Sequence, residues 1–577
     1  MSHHSSSRLT YAVDECPGAR TTAFLGFQAV LLMISGIALT PVIVLRATGQ
    51  ATPGTTAWVV FAALLLSGIT TALQGRPIWK FGSGYPLFMG TSGAFIAVGI
   101  AAIQQGGLPL LGTLAATSAF IQFFFAARLY WFRKLITAEV GGVVVMLIVV
   151  TVFPIGTSLL NQAPEGKEGM PAALTAGVTF FSIVGLALFG KGWLRLWGPI
   201  LGIIIGCSVG AALGLFDVES VKAADWFGFP LSEWPGMDLS FGKAYWTLLP
   251  GFVIVTIIGA IETYGDAISI QRVSHREPQP INFKTVQNAL YNDGLGNLLA
   301  GMMGTLPNTT YSNSISLIEF TGVAARRVAV YGGGFFVLLA FMPKVSALLQ
   351  AIPAPVVGVY LIVLLSILFI SGLRLVTENG LDYERGIVVS LSFWLGVAFQ
   401  NQTIFPELMP AWLHSILDNG MTAGGVAAIA LSGALAWKNR GGSVIRFSLA
   451  ANIFELSRVF IEKHGKQEKW DEEGIKRLQL VCEEALLYLT GQAGHASDQI
   501  KLELKFAGRS AHLELTTSLD TLNIGGEIQS LSSVSESPED DVELRILRGI
   551  ASQVDHQQFS GKSFLSLVVD QRTKTSE

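Results

Sequence analysis

Charge is scarce in this sequence. Only 14% of its 577 residues are Asp, Glu, Lys or Arg, while 51% are hydrophobic; a soluble protein carries about 25% charged residues. That shortage excludes a fully solvated chain and points to a polytopic membrane protein. A basic excess is also missing. The formal charge is −3, which offers nucleic acid no footing. Cysteine is nearly absent: Cys16, Cys207 and Cys482 lie far apart, with neither metal-ligand spacing nor a disulfide framework. All three are expected to be structural or inert, and no metal is expected. No cleavable signal peptide is expected. Met1–Arg20 is polar and the first apolar run is long enough to span, so it is expected to stay as an anchor.

What is present is apolar sequence in long runs, with 63 glycines that suit close helix packing in lipid. Runs of spanning length lie near 22–45, 55–73, 86–105, 108–127, 136–160, 171–190, 195–215, 246–270, 283–303, 305–320, 327–350, 353–373, 386–404 and 420–437. With the N-terminus in the cytoplasm and strict alternation, most Lys and Arg fall inside, among them Arg76, Lys80, Arg133, Lys134, Arg326, Arg327 and Lys438. The outside receives only Arg46, Lys167, Lys222, Lys243 and Lys344. That is the bias the positive-inside rule requires. The expected fold is therefore all-α and polytopic, with fourteen spans and both termini cytoplasmic. The runs divide into halves at about 21–215 and 246–438. An odd number of spans per half makes the halves inverted, a transporter signature when matched segments are interrupted. A cytoplasmic tail, 1–20, precedes the transmembrane domain, 21–440, and a soluble α+β domain, 441–577, follows it.

The chain is organised around residues 260–325. Ile261-Glu262-Thr263-Tyr264-Gly265-Asp266 lies inside an apolar run, and the two carboxylates, four residues apart, share one helix face. A carboxylate at that depth costs at least about 2.5 kcal/mol and is by default functional. Desolvation favours its neutral form, so Glu262 could take up a proton as well as accept hydrogen bonds from a planar heterocycle. Asp266 could share the proton-coupling role by tuning Glu262 through like-charge repulsion, or cap a helix end. The tenth run, Pro307 to Ser316, and the third, Pro86 to Phe95, each place small hydroxylated residues after a proline. Irregular backbone in a bilayer is tolerated only where it lines a cavity. Both are read as extended stretches leading into half-helices that meet at the midplane, their N-termini free to bind a polar ligand. The plain alternative for these small residues is helix packing. On this reading Ser92, Gly93, Ala94, Thr310, Asn313 and Ser314 join Glu262 as substrate-binding candidates. Gln28 in the first span is the last, with an interhelical hydrogen bond as its alternative. Glu139 is expected at the interface, and Glu319 in an ion pair near Arg326 and Arg327.

At these residues the sequence resembles the nucleobase–ascorbate transporter family, the xanthine/uracil permeases, over about 20–438. The block runs from Asn292-Asp293-Gly294-Leu295-Gly296-Asn297 through Thr305-Leu306-Pro307-Asn308-Thr309-Thr310-Tyr311 to Thr321-Gly322-Val323-Ala324-Ala325-Arg326-Arg327. Leu25-Gly26-Phe27-Gln28, Gly90-Thr91-Ser92 and Glu262 with Gly265-Asp266 support it. The resemblance implies seven plus seven inverted spans, a core and a gate domain, a homodimer, and nucleobase symport with a proton, sodium being the other candidate ion. It implies that Glu262 binds the base and that Asn313 stands where the family has Glu or Gln. There are departures: Ala29 follows Gln28 where His is common, and Ser314 and Ser316 replace Asn and Gly. Gly93 stands where uracil carriers have Phe. Asp266 matches purine carriers, where uracil carriers have His. The reading is thus a purine such as xanthine, urate or guanine, with uracil as the alternative, in a bacterial cytoplasmic membrane.

In the C-terminal domain, 444–463 and 471–490 read as amphipathic helices, Ile500–Phe506 and His512–Thr516 as strands, 541–554 as a helix and Ser563–Asp570 as a strand. With Glu483-Glu484 on the second helix, this order resembles the ATPase fold of anti-sigma-factor and histidine kinases. Tyr488 stands where that family has a Mg-binding Asn, and the glycine-rich box is missing after 516. No ATP hydrolysis is expected, which counts against a membrane enzyme with a kinase-like tail. A regulatory domain with a protein partner is expected instead. An anion transporter of the same inverted-repeat architecture is the remaining alternative; it would want a basic residue near the third and tenth segments, where the sequence has a carboxylate.

Overall fold

The computed structural model describes residues 9–127, 137–164, 169–276, 281–377, 380–401, 420–438, 443–448, 452–492, 499–507, 510–517, 546–547, 549–559 and 562–571. Two compact units emerge: Met1–Ala126 with Arg133–Ser274 and Asn288–Ala434, and Ala127–Phe132 with His275–Gln287 and Leu435–Glu577.

The first unit is helical. Its long helices are α1 (Ala19–Ala47), α2 (Pro53–Gly75), α3 (Ile96–Ala127), α4 (Ala138–Leu160), α5 (Met170–Phe189), α6 (Trp193–Ala212) and α7 (Lys243–Val273). They are followed by α8 (Phe283–Met303), α9 (Asn313–Thr321), α10 (Arg327–Ala340), α11 (Pro343–Ala351), α12 (Ala354–Thr377), α13 (Tyr383–Gln400) and α14 (Gly420–Lys438). Local chemistry sets several ends. Thr52 and Thr55 form a reciprocal capping box with Pro53 in the first turn of α2, satisfying amides that the helix leaves free. Gly322, at φ 67°, closes α9 after nine residues, as a left-handed C′ residue does.

Among the described residues nine helices are long and apolar enough to cross a membrane, or ten if α10 and α11, bent by 79°, form one span. Fourteen was expected. The difference lies in runs that are not single apolar helices. The third and fourth runs both fall in α3, which is two helical stretches meeting at a kink at Gly106 and Gly107, where φ is −156° and 71°. The tenth run contains only the short α9. Arg8, Arg128, Arg133, Lys134, Lys167 and Arg440 lie outside the described residues.

Packing depends on close backbone approach. A Cβ on Gly68 of α2 would lie 2.6 Å from the Gly333 carbonyl of α10, and one on Gly142 of α4 would lie 2.5 Å from the Gly372 carbonyl of α12. These contacts fall in two extensive helix packings, α2 on α10 and α4 on α12, as small residues allow in membrane proteins.

The two extended stretches are present. β1 (Met89–Thr91) and β2 (Asn308–Thr310) pair antiparallel, Met89 with Thr310 and Thr91 with Asn308. β1 leads through a 3-10 turn, Gly93–Phe95, into α3, and β2 leads into α9. Antiparallel pairing puts their exits at opposite ends of the ladder.

The second unit contains a five-stranded antiparallel sheet in the order β3-β4-β5-β7-β6, made of Ser443–Ser448, Gln499–Ala507, Ser510–Thr517, Lys562–Asp570 and Gln553–Phe559. Helices α15 (Ile453–Gln467) and α16 (Glu472–Gln492) share its core, which includes Ile461, Leu478, Leu486, Leu502, Leu513 and Leu567. Two expectations fail. Residues 444–463 are a strand followed by a helix, because Val444 to Phe447 alternates and pairs with β4. A helix to 554 is excluded by β6, which begins at Gln553 and pairs with β7; residues 541–545 lie outside the described residues, as do 519–521 and 525–526, where the glycine-rich box was sought.

Candidate functional site

The β1–β2 crossing is built from hydrogen bonds that the apolar surroundings make obligatory. Beyond the ladder, Ser92 N donates to the Pro307 carbonyl and Tyr311 N to the Phe88 carbonyl, each at 2.9 Å. Side chains supply the rest. Met89 N donates to Thr71 Oγ1 at 2.9 Å, Phe88 N to Ser314 Oγ at 3.0 Å, and Thr91 Oγ1 to the Ile37 carbonyl at 2.9 Å. The Tyr311 hydroxyl reaches back to the Thr91 carbonyl at 2.9 Å.

α7 lies against this crossing, touching β2, the Gly93–Phe95 turn and α9. Asp266 lies inside α7, in its C-terminal part but two turns short of its end at Val273, so it caps no helix end. It accepts from Thr310 Oγ1 at 2.8 Å and from Ser312 Oγ at 2.7 Å. Ser312 is the N-cap of α9, but its hydroxyl makes no capping bond; it is committed to Asp266. Thr263 Oγ1 donates to Asp293 Oδ2 at 3.0 Å, and Gln122 Nε2 donates to the same oxygen at 2.7 Å. Asn297 Nδ2 in turn donates to Gln122 Oε1 at 2.6 Å. A chain of polar side chains thus runs from Ser312 through Asp266, Thr310, Thr263, Asp293 and Gln122 to Asn297.

Glu262 differs from its neighbours. Thr263 and Asp266 are buried, whereas Glu262 is exposed, as are Gly265, Ser312 and Asn313; Gly93, Tyr311 and Gln28 are half-buried. Asp266 and Asp293 lie close enough for their charges to act on Glu262, and Glu262 acts on the Tyr311 phenol. Glu262 therefore lies among charged and polar neighbours. A Cβ on Gly93 would come within 3.6 Å of Leu364 and Leu368 on α12, so an apolar wall stands opposite that turn.

The expected residues thus divide. Ser92, Gly93 and Ala94 follow β1 in the turn that leads to α3, while Thr310 ends β2 and Asn313 and Ser314 begin α9. Ser92, Ala94, Thr310 and Ser314 are buried, and Ser314 serves the backbone at Phe88. Gln28 is on α1, a helix packed on β1 and α9. Asp293, Gln122, Thr263 and Ser312 were not singled out. Asp293 carried the same signal as Glu262, a carboxylate within an apolar run. Glu139, in the first turn of α4, is 6% exposed and pairs with Arg385 at 3.1 Å. Arg326 pairs with Asp14 at 3.1 Å, not with Glu319.

Apolar spans, paired broken segments and an accessible intramembrane carboxylate beside them define a multi-pass membrane transporter. The permease-family model Xan_ur_permease matches residues 20–404, and the chain belongs to that family. Its members are permeases, so the protein is a transporter and not an enzyme. Xanthine permease XanP of Escherichia coli strain K12 is 26% identical over 444 residues, covering 74% of this chain and 94% of its own. Nucleobase transporter PlUacP of Paenibacillus larvae is 28% identical over 435 residues, covering 71% and 93%. The structure of SLC26A9 aligns with a TM-score of 0.50 at 11% identity, over 75% of this chain and 68% of that one; that likeness is one of fold alone.

Proposed function

We propose that the protein is a proton-coupled purine transporter. The base binds between the β1 and β2 segments, with Glu262 as its main ligand and as the proton-carrying group. The observation that carries this reading is the accessibility of Glu262 near two helix starts, at Gly93 and Asn313, with Thr263, Asp266 and Thr310 buried beside it. A carboxylate can accept from ring N–H groups of a nucleobase, and helix starts supply N–H donors to its carbonyls. The names of the relatives support the substrate class. Asp266 supports a purine over uracil, and Asn313 supplies an amide at the second ligand position.

Transport proceeds by movement of the crossing and α7 against α12, exposing Glu262 to each side in turn. In this reading the spans number fourteen, in two inverted sets of seven, the chain is a homodimer, and both termini lie in the cytoplasm of a bacterium. The C-terminal domain is regulatory. The test is thermal stabilisation of the purified protein by xanthine, urate, guanine and uracil at two pH values, since only ligands that prefer the native state stabilise it. Stabilisation by a purine and its loss in Glu262→Gln are expected. Undiminished saturable uptake in Glu262→Ala would reject the role of that residue. A shift with uracil alone would reject the purine, and no shift with any base would reject the substrate class.

A further inference from the structure

Residues His275–Gln287 form the connector from α7, which carries Glu262, together with the first turn of α8, which carries Asp293; residues 277–280 lie outside the described residues. This stretch belongs to the same compact unit as the C-terminal domain. A loop between two spans is ordinarily solvated. Here Ile281 and Phe283 are each only 8% exposed, while Asn282 and Lys284 between and after them face outward. The Phe283 ring meets the His556 imidazole edge-on, with centroids 6.2 Å apart and planes at 89°, a favoured aromatic arrangement. His556 is 6% exposed, and its Nε2 is 2.5 Å from Ser563 Oγ. It pairs across the ladder with Leu565, a core residue, so both point to the face that carries the domain's core. Burial pushes His556 down to about 4, so the ring is neutral near pH 7 and offers Phe283 an uncharged surface.

We propose that the C-terminal domain restrains transport by gripping this connector, with Phe283 seated on His556. The proposal rests on the transporter reading above and adds a route for regulation. Thr263 and Asp293 tie α7 to α8, so a held connector resists displacement of either helix. Whatever displaces the C-terminal domain releases both.

The experiment uses the full chain in proteoliposomes, comparing wild type with Phe283→Ala, His556→Ala and His556→Phe. Hydrogen exchange is read at residues 281–287 and 266–273, and initial xanthine uptake is read alongside. In both alanine variants exchange at 281–287 is expected to rise about tenfold and uptake about fivefold. His556→Phe, which keeps a ring under Phe283, is expected to stay near wild type. Unchanged exchange at 281–287 in Phe283→Ala would overturn the grip. Faster exchange with unchanged uptake would overturn the restraint. If wild type carries no nucleobase, the transporter reading fails separately. Exchange at 266–273 then decides: faster in Phe283→Ala supports the coupling, and unchanged overturns it.

Discussion

Thr310→Val isolates one bond at the centre of the site. Thr310 has a single hydroxyl proton and two acceptors in reach, Asp266 Oδ2 at 2.8 Å and Thr263 Oγ1 at 3.3 Å. The shorter contact to a carboxylate takes it, and the Thr263 proton goes to Asp293 at 3.0 Å. Valine keeps the shape and removes the donor. Asp266 is 7% exposed, so water cannot replace the lost bond fully, and a hydrogen bond to a charged group is worth about 1.5–3 kcal/mol. Stability should fall by that amount, which is a few degrees of melting temperature in a chain of this size. Ser312→Ala removes the other donor, at 2.7 Å, but Ser312 is exposed and water substitutes, so its loss should be under about 1.5 kcal/mol. The double variant leaves Asp266 with neither hydroxyl, and its loss should exceed the sum of the singles. Intrinsic-fluorescence melting of the purified proteins reads all three. A Thr310→Val protein as stable as wild type, or a costlier Ser312→Ala, would refute the proton assignment.

Gly68→Ala should cost at least about 2 kcal/mol by overpacking, because its Cβ would meet the Gly333 carbonyl at 2.6 Å and Val337 N at 2.9 Å; Gly259→Ala, with nothing within 4 Å, should be neutral or stabilising, and equal melting temperatures for the two would contradict the α2–α10 contact. In the C-terminal domain, His556 is depressed to about 4 by burial while the unfolded residue titrates near 6.5. The unfolded state therefore binds the extra proton, and stability should fall as pH drops from about 6.5 to 4, by up to about 1.4 kcal/mol per pH unit; His556→Phe should flatten that slope in pH-dependent melting of the domain. Cys482 is buried with its thiol pushed up to about 12 by desolvation, while Cys16 is exposed, so maleimide at neutral pH should label Cys16 and spare Cys482 until unfolding; rapid native labelling of Cys482, read by peptide mass spectrometry, would contradict the domain core.

How far the sequence carried the fold depends on what each stretch had to hide from lipid. Long uniform runs such as 136–160 and 353–373 could be nothing but spans, and they are α4 and α12. The two extended stretches were legible because Pro307 and Pro86 precede small hydroxylated residues that a lipid-facing helix has no use for. Gly106 and Gly107 were less telling, since glycines serve both kinks and close packing. The boundary errors fell in the soluble domain: Val444 to Phe447 is apolar at both helical and strand spacing, and only its pairing with β4 decides between them. In the site, Asp293 was visible as a charge in an apolar run. Its partners were not, because Gln122 and Thr263 are ordinary span residues until folding brings three helices together.

Glu262 and Asp266 show what spacing alone leaves open. Four residues apart, they share a helix face and should be equivalent by pattern. The fold separates them. Both oxygens of Asp266 are already taken, one by Thr310 and one by Ser312, so its carboxylate ties β2 and the start of α9 to α7. A ligand that sought Asp266 would meet a residue only 7% exposed, whose oxygens already serve two neighbours. Glu262 is exposed, near enough to Asp266 and Asp293 for their charges to act on it, and open to a visitor. If a proton and a base are exchanged here, the exchange falls to Glu262, and Asp266 fixes the frame in which it happens. That division follows from hydroxyls at Thr310 and Ser312, residues that no charge pattern would have marked.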